Sequence, residues 1–234
     1  MGDERFNRLV PLIGQDDFYK LSQSRVLVFG LGGVGSYAVE ALARSGVGHL
    51  VLIDFDEIAL HNINRQIQAL SSTVGQKKVQ VMAARVQEIN PAAEVKALCQ
   101  RVTPENVARF FNQPSDCVID AIDDVPGKIA LIKYCREQGI PLISAMGTGN
   151  KLDISRLRIE DISQTSVCPL CRSVRRKLRE IGIENGVTVV YSDEEPLTKG
   201  LVEGERHVPA SSCLVPPAAG LLMASWVIST VRKK

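Results

Sequence analysis

The chain has almost no charge of one sign to spare: 28 Lys and Arg stand against 26 Asp and Glu, a net of +2 over 234 residues. Such a balance neither demands a nucleic-acid partner nor excludes one. An uninterrupted apolar run is also missing. The longest candidate, Leu214 to Val231, is broken by Pro216, Pro217 and Gly220 and reads as a buried or interface helix, so no membrane span is expected. Met1 to Lys20 is polar and charged, without the apolar segment and cleavage site of a secretory signal, and the expected location is cytoplasmic. In that compartment Cys99, Cys117, Cys135, Cys168, Cys171 and Cys213 are not expected to form a disulfide framework. Only Cys168 and Cys171 make a C-x-x-C pair, and nothing in the sequence beside them or Cys213 marks an activated thiol. Internal repeats and low-complexity tracts are absent.

With 45% apolar and 23% charged residues, the chain can bury a full core as one large α/β domain. Strand-like runs at Arg25–Phe29, His49–Asp54, Glu94–Gln100, Cys117–Ile122 and Pro141–Met146 alternate with helical stretches. The helical stretches are Ser36–Arg44, Gln76–Asn90, Thr103–Phe111 and Val125–Gln138. In the second, Val79, Met82, Ala83, Val86 and Ile89 share one face; in the third, Thr103 and Pro104 supply an N-cap and a first-turn proline. The alternation predicts an α/β, Rossmann-like, doubly wound fold on a mostly parallel sheet. It divides the chain into an N-terminal arm (1–24), a nucleotide-binding core (25–162) and a substrate or dimer region (163–234). The last region forms a C-terminal helical and strand extension. It holds a basic helical segment at Val167–Ile181, a polar stretch at Glu184–Ala210 with one strand at Val187–Tyr191, and the apolar C-terminal helix.

Gly30-Leu-Gly32-Gly33-Val-Gly35 follows the first strand directly, and Asp54 closes the second. This is the spacing of a nucleotide-binding βαβ unit. Gly30 permits the tight turn, Gly32 lets backbone N–H groups approach a phosphate, Gly35 lets helix and strand pack closely, and Asp54 accepts ribose hydroxyls. The turn alone does not name the nucleotide. ATP brings roughly four negative charges where the pyrophosphate of NAD brings about two, and the surplus calls for more cations near the turn. The chain continues with Asp54-x-Asp56, Asn62-x-x-Arg65-Gln66, Lys77-Lys78 and Asp120-x-x-Asp123-Asp124. Arg65 lies past the second strand, Lys78 opens the next helix, and Asp123 ends the fourth strand, where a carboxylate can hold Mg2+. Phosphate chemistry fits this set better than hydride transfer. Alternatives stay open at three places: Asp56 reads equally as a loop cap, Lys77 rivals Lys78, and Asp120 either binds the metal instead of Asp123 or is a structural hydrogen-bonding group.

At these residues, together with Arg5-Phe-Asn-Arg8, the chain resembles the ThiF-type, ubiquitin-activating-enzyme-like family of ATP-dependent carboxylate-adenylating enzymes. The resemblance spans Arg5 to about Gly147 and implies a set of roles. ATP would lie among Gly30, Gly32, Gly33, Gly35, Asp54, Asp56, Asn62, Arg65 and Lys78. Asp123 would organise Mg2+, and Arg8 would reach into a partner subunit's site as an arginine finger, which implies a homodimer. Catalysis falls on the same footing to Arg8, Arg65, Lys78 and Asp123. Members that activate sulfur carriers typically hold zinc on two C-x-x-C pairs; with one pair here, and four ligands needed for a tetrahedral site, zinc is not expected.

The rest of the chain, in Met146–Lys151, Thr165–Leu170, Val189–Pro196 and Val215–Gly220, is similar to one subgroup, the tRNA threonylcarbamoyladenosine dehydratases. That implies ATP-dependent cyclisation of the modified adenosine in tRNA through carboxylate adenylation. The alternative is adenylation of the C-terminal glycine of a ubiquitin-like sulfur carrier, with a sulfur-transfer or ubiquitin-like protein as partner. Arg172, Arg175, Arg176, Lys177 and Arg179 crowd one helical segment and form a patch able to track RNA phosphates. They read also as a solvated face paired with Glu180 and Glu184.

Overall fold

The central strand, β1 at Arg25–Phe29, is apolar on both sides because both sides are covered. Val26 and Val28 enter one core with helical residues such as Ala38, Val79 and Met223, while Leu27 and Phe29 enter another with Phe110, Leu131 and Cys135. A computed structural model describes residues 3–203 and 206–234. In it β2 (His49–Ile53), β3 (Glu94–Leu98), β4 (Cys117–Asp120), β5 (Leu142–Ala145), β6 (Leu157–Asp161) and β7 (Thr188–Ser192) join β1 in one seven-stranded sheet. The order is β3-β2-β1-β4-β5-β7-β6, parallel throughout except for β6, which runs antiparallel to β7. This is the doubly wound α/β fold.

Helices α1 (Val10–Ile13) and α2 (Gln15–Gln23) form the N-terminal arm, and Phe6 packs on Phe18 with ring centroids 5.0 Å apart. The sheet is covered by α3 (Gly35–Arg44), α4 (Lys78–Ile89), α5 (Val125–Glu137), α6 (Pro169–Glu180) and α7 (Val215–Arg232). α7 lies along α3 so closely that a Cβ on Gly220 would collide with the Val34 carbonyl oxygen. β8 (Leu201–Glu203) and β9 (Arg206–Val208) form a separate hairpin. Among the described residues no helix is long and apolar enough to cross a membrane.

Three features depart from the sequence expectation. Thr103–Phe111 is not an α-helix and holds only a 3₁₀ turn at Val107–Phe110. Phe110 meets Phe29 edge-on at 5.3 Å and Phe111 stacks on the same ring at 6.1 Å. Successive helical residues point about 100° apart, so two neighbours on one ring oppose a regular helix. β6 was not expected because as an edge strand it buries only Leu157 and shows no apolar run. The β8–β9 hairpin was missed as well. β7, from the region after residue 163, is inserted between β5 and β6.

Candidate active site

Strand order switches direction between β1 and β4, and sheets of this kind bind ligands beyond the carboxyl ends of the strands at that point. A cleft of about 430 Å³ opens there. Gly30 leaves β1 with φ at 86°, and a Cβ on it would stand 2.6 Å from the Ala121 carbonyl oxygen. A Cβ on Gly35 would collide with the Gly30 carbonyl oxygen, so helix and turn touch backbone to backbone. The protein itself demands both glycines. Gly32 is different: a Cβ there would meet nothing nearer than Gln66 Nε2 at 4.0 Å. Its missing side chain leaves open cleft beside the N-terminus of α3, the place where backbone N–H groups and the helix dipole favour an anion.

Asp54 is buried at the end of β2. Its Oδ2 accepts from Leu31 N at 2.6 Å and its Oδ1 from Asp56 N at 2.8 Å, which ties it to the glycine turn. Burial pushes its carboxyl up, against the opposing pull of the Lys78 ammonium and of these two N–H groups. Lys78, nearly fully buried, reaches Asp56 Oδ2 at 2.7 Å. Lys77 turns away to Glu57 at 3.0 Å, so the lysine on the cleft wall is Lys78. Asn62 Oδ1 accepts from Ala59 N at 3.0 Å and fixes the turn that presents Arg65. The half-buried Arg65 guanidinium donates to His61 O at 2.8 Å and Asn64 Oδ1 at 2.9 Å. It has no carboxylate partner among the described residues, and burial lowers its pKa; an anion entering the cleft would relieve it.

Three carboxylates stand at or just after the end of β4, and they differ in what occupies them. Asp120 is fully buried, bonded to Lys128 Nζ at 2.9 Å and Ser144 Oγ at 2.6 Å, and is structural. Asp124 caps α5 through Gly127 N at 2.8 Å and takes Arg101 Nη2 at 2.8 Å. Asp123 lines the cleft, is exposed, and has no hydrogen-bond or ion-pair partner among the described side chains. One free carboxylate beside a phosphate site is the donor set Mg2+ takes, its other positions being filled by phosphate and water.

Residues 6–234 match the model of the ThiF family. The chain belongs to the ThiF family. The tRNA threonylcarbamoyladenosine dehydratase of Bacillus subtilis is 44% identical over 241 residues, covering 98% of this chain and 95% of that protein. The crystal structure of Escherichia coli tRNA N6-threonylcarbamoyladenosine dehydratase, TcdA, in complex with ATP matches with a TM-score of 0.88 at 36% identity, over 97% of this chain and 93% of that one. The sulfur carrier protein ThiS adenylyltransferase of Escherichia coli is 33% identical over 197 residues, 82% of this chain and 78% of that protein.

Within this ThiF fold some sequence-singled residues lie elsewhere. Arg8 is exposed on the arm, outside the cleft of its own chain and without an ion-pair partner among the described residues. Of the basic set on α6, Arg175 must be withdrawn as a phosphate contact. Its Nη1 is turned inward onto Thr165 O at 2.8 Å, Thr165 Oγ1 at 2.7 Å and Ile162 O at 3.2 Å, where it holds a turn. Arg172, Arg176 and Arg179 are exposed on one face, and among the described residues only Arg176 of the three has an ion-pair partner, Glu180 at 4.0 Å. Sequence reasoning missed Arg101, which lines the cleft with its guanidinium 5.0 Å from the centre of the Phe55 ring. It assigned no role to the far wall, Met146–Gly149 with Leu170 and Pro209. Cys168 and Cys171 are buried free thiols, and no group of three or more metal-ligating side chains occurs among the described residues.

Proposed function

We propose that this protein is an ATP-dependent adenylating enzyme that dehydrates N6-threonylcarbamoyladenosine in tRNA to its cyclic form, acting in the cytoplasm as a homodimer. The observation that carries the reading is the meeting, on one sheet edge, of the open space at Gly32, the unpaired Arg65 guanidinium and the free Asp123 carboxylate. The relatives named for this activity cover nearly the whole chain.

In this reading the ribose hydroxyls donate to Asp54, already aimed by Leu31 and Asp56 N–H groups. The phosphates lie over Gly30, Gly32 and Gly33 with Asn62, Arg65 and Lys78 around them. Lys78 arrives held straight by Asp56, and the half-exposed Asp56 carboxylate gives it up as phosphate approaches. Asp123 would hold Mg2+, which would supply charge neutralisation at the phosphate oxygens. The threonyl carboxylate attacks the α-phosphorus and pyrophosphate leaves. The carbamoyl group of the same nucleoside then attacks the acyl carbon, loses a proton, and AMP departs as the five-membered ring closes. Because both reacting groups belong to one molecule, their effective concentration is high and no protein nucleophile is required. Arg8 of a second copy adds charge to the transition state. The region 163–234 receives the tRNA, whose phosphates run along Arg172, Arg176, Lys177 and Arg179.

The test is ATP–pyrophosphate exchange with total tRNA against a Gly-Gly-ended carrier protein, followed by mass analysis of the nucleosides. Exchange that depends on tRNA, with loss of one water from threonylcarbamoyladenosine, is expected. Exchange that depends only on the carrier overturns the reading in favour of sulfur-carrier activation, the activity named for the 33%-identical relative.

A further inference from the structure

Strand order lays out the cleft from end to end. Asp54 closes β2, the glycine turn follows β1, Asp123 follows β4 and residues 146–149 follow β5, and the sheet runs β2-β1-β4-β5. In the proposed reaction the ribose lies at Asp54 and the phosphates over the glycine turn, so the acyl group that attacks the α-phosphorus approaches from the β5 end. That end is walled by Gly149 and by Pro209, which belongs to the segment 197–210 that carries the β8–β9 hairpin. The two walls meet closely. A Cβ on Gly149 would stand 2.7 Å from Pro209 Cβ and 3.2 Å from Ala210 O.

Asn150, the next residue, fastens both ends of that segment. Its N–H donates to Ala210 O at 2.7 Å and its Oδ1 accepts from Ala210 N at 2.7 Å, so both backbone groups of Ala210 go to one residue. Its own carbonyl oxygen accepts from Leu197 N at 2.8 Å. These bonds are made from left-handed backbone, φ 61°, a conformation that few side chains adopt and that Asn and Asp tolerate best. Such a conformation persists where the surroundings over-determine it. The chain leading to Leu197 has further ties: Lys151 Nζ donates to Ser192 O at 2.6 Å, and Leu152 N and Asp153 N donate to the Glu194 carboxylate at 3.1 and 3.0 Å. The returning end depends on Asn150 at Ala210, and the next tie beyond it is Asn64 Nδ2 to Ser211 O at 2.9 Å.

We propose that Asn150 is a positioning residue for the acyl end of the cleft: it clasps the two ends of the 197–210 segment and so holds Pro209 against Gly149 where the substrate carboxylate enters. Asn150 is absent from the cleft lining and touches no reacting atom; it acts through its neighbours. The Oδ1 bond is the part of the clasp that depends on residue type, since the two backbone bonds are open to any residue that accepts the same φ. The inference rests on the carboxylate-adenylating reading of the site.

Asn150→Gly keeps the left-handed backbone and removes the Oδ1 bond, whereas Asn150→Asp keeps both. Trypsin reads the clasp without reference to the reaction. Lys199 is exposed within the segment, and cleavage of a locally opened site follows the population of the open form. Cleavage after Lys199, followed by fragment mass, should be about fivefold faster in the glycine variant, as loss of one hydrogen bond implies, and close to wild type in the aspartate variant. Equal rates in the glycine variant and wild type overturn the clasp, and an aspartate variant cut as fast as the glycine one overturns the role of Oδ1. Turnover reads the positioning. A displacement of 1 Å can cost roughly 10²-fold in rate; in the glycine variant kcat/KM for tRNA should fall about tenfold with ATP affinity unchanged, and the aspartate variant should recover it. An equal fall in ATP affinity overturns the assignment to the acyl end, as does full turnover in a glycine variant that trypsin shows to be unclasped. Wild-type protein without tRNA-dependent pyrophosphate exchange overturns the proposed function instead, and the trypsin result still decides the clasp.

Discussion

Arg65 and Asp54 are both partly or wholly buried, and the structure stabilises neither charge fully before a ligand arrives. Arg65→Ala should therefore lower ATP–pyrophosphate exchange by roughly 10²–10³-fold while leaving the melting temperature unchanged or raised. Retained exchange with a lowered melting temperature would make Arg65 structural. Asp54 gives a pH test. Burial raises its folded pKa above the unfolded 3.8, so its contribution to stability is fully present below the unfolded value and is lost as pH rises through the folded one. Ribose binding needs the carboxylate, so ATP affinity should fall as pH drops through that same raised pKa. Titrating the ATP dissociation constant against pH should show this loss above the usual aspartate range, and Asp54→Asn should bind weakly at every pH. At this scale the sequence made Gly30 and Gly35 legible because their constraints are local, arising within one turn. The Asp56–Lys78 pair, the inward turn of Arg175 and the Asn150 bonds to Ala210 depend on groups brought together by tertiary packing, and no spacing encodes them.

Between elements, the glycine turn is held at its site by what fastens α3. Glu40 on α3 takes Arg85 of α4 through two hydrogen bonds, at 2.7 and 3.1 Å, and Arg44 one turn on at 2.8 Å. Burial alone would push its carboxyl up, but the bonds from Arg85 and Arg44 outweigh that and hold the folded pKa below the unfolded 4.5. The stability it contributes is thus present above the unfolded pKa and is lost as pH falls through the folded one. Glu40→Gln should destabilise by about 1–3 kcal/mol at neutral pH, and denaturant melts should show the difference from wild type shrinking on acidification. A difference that persists in acid would assign the effect to packing. The helices around this tie were legible, since α3, α4 and α5 carry long periodic faces; β6 and the 103–111 segment were not. One buries only Leu157 at a sheet edge, and the other is shaped by aromatic contacts with Phe29.

For the whole molecule, the charge around the cleft is the deciding quantity. Its ionised lining consists of Asp54, Asp56, Asp123 and Asp124 against Arg65, Lys78 and Arg101. That lining is slightly acidic, and even with Mg2+ added it falls short of the roughly four negative charges of ATP. In the proposed reaction a further cation would come from outside the chain's own cleft. Arg8 is exposed, unpaired among the described residues and absent from that cleft's lining, as the proposed role in a second copy requires. Leu60, Ile63 and Leu214 are exposed apolar residues on two segments joined by the Asn64 Nδ2 bond to Ser211 O at 2.9 Å. Arg8→Ala and Asp123→Ala should each be inactive alone. Mixed after subunit exchange, half the dimers are hybrids, and each hybrid pairs one intact Asp123 cleft with one intact Arg8. Exchange activity should return to about a quarter of wild type, whereas an arginine acting within its own chain would leave every site broken and the mixture silent.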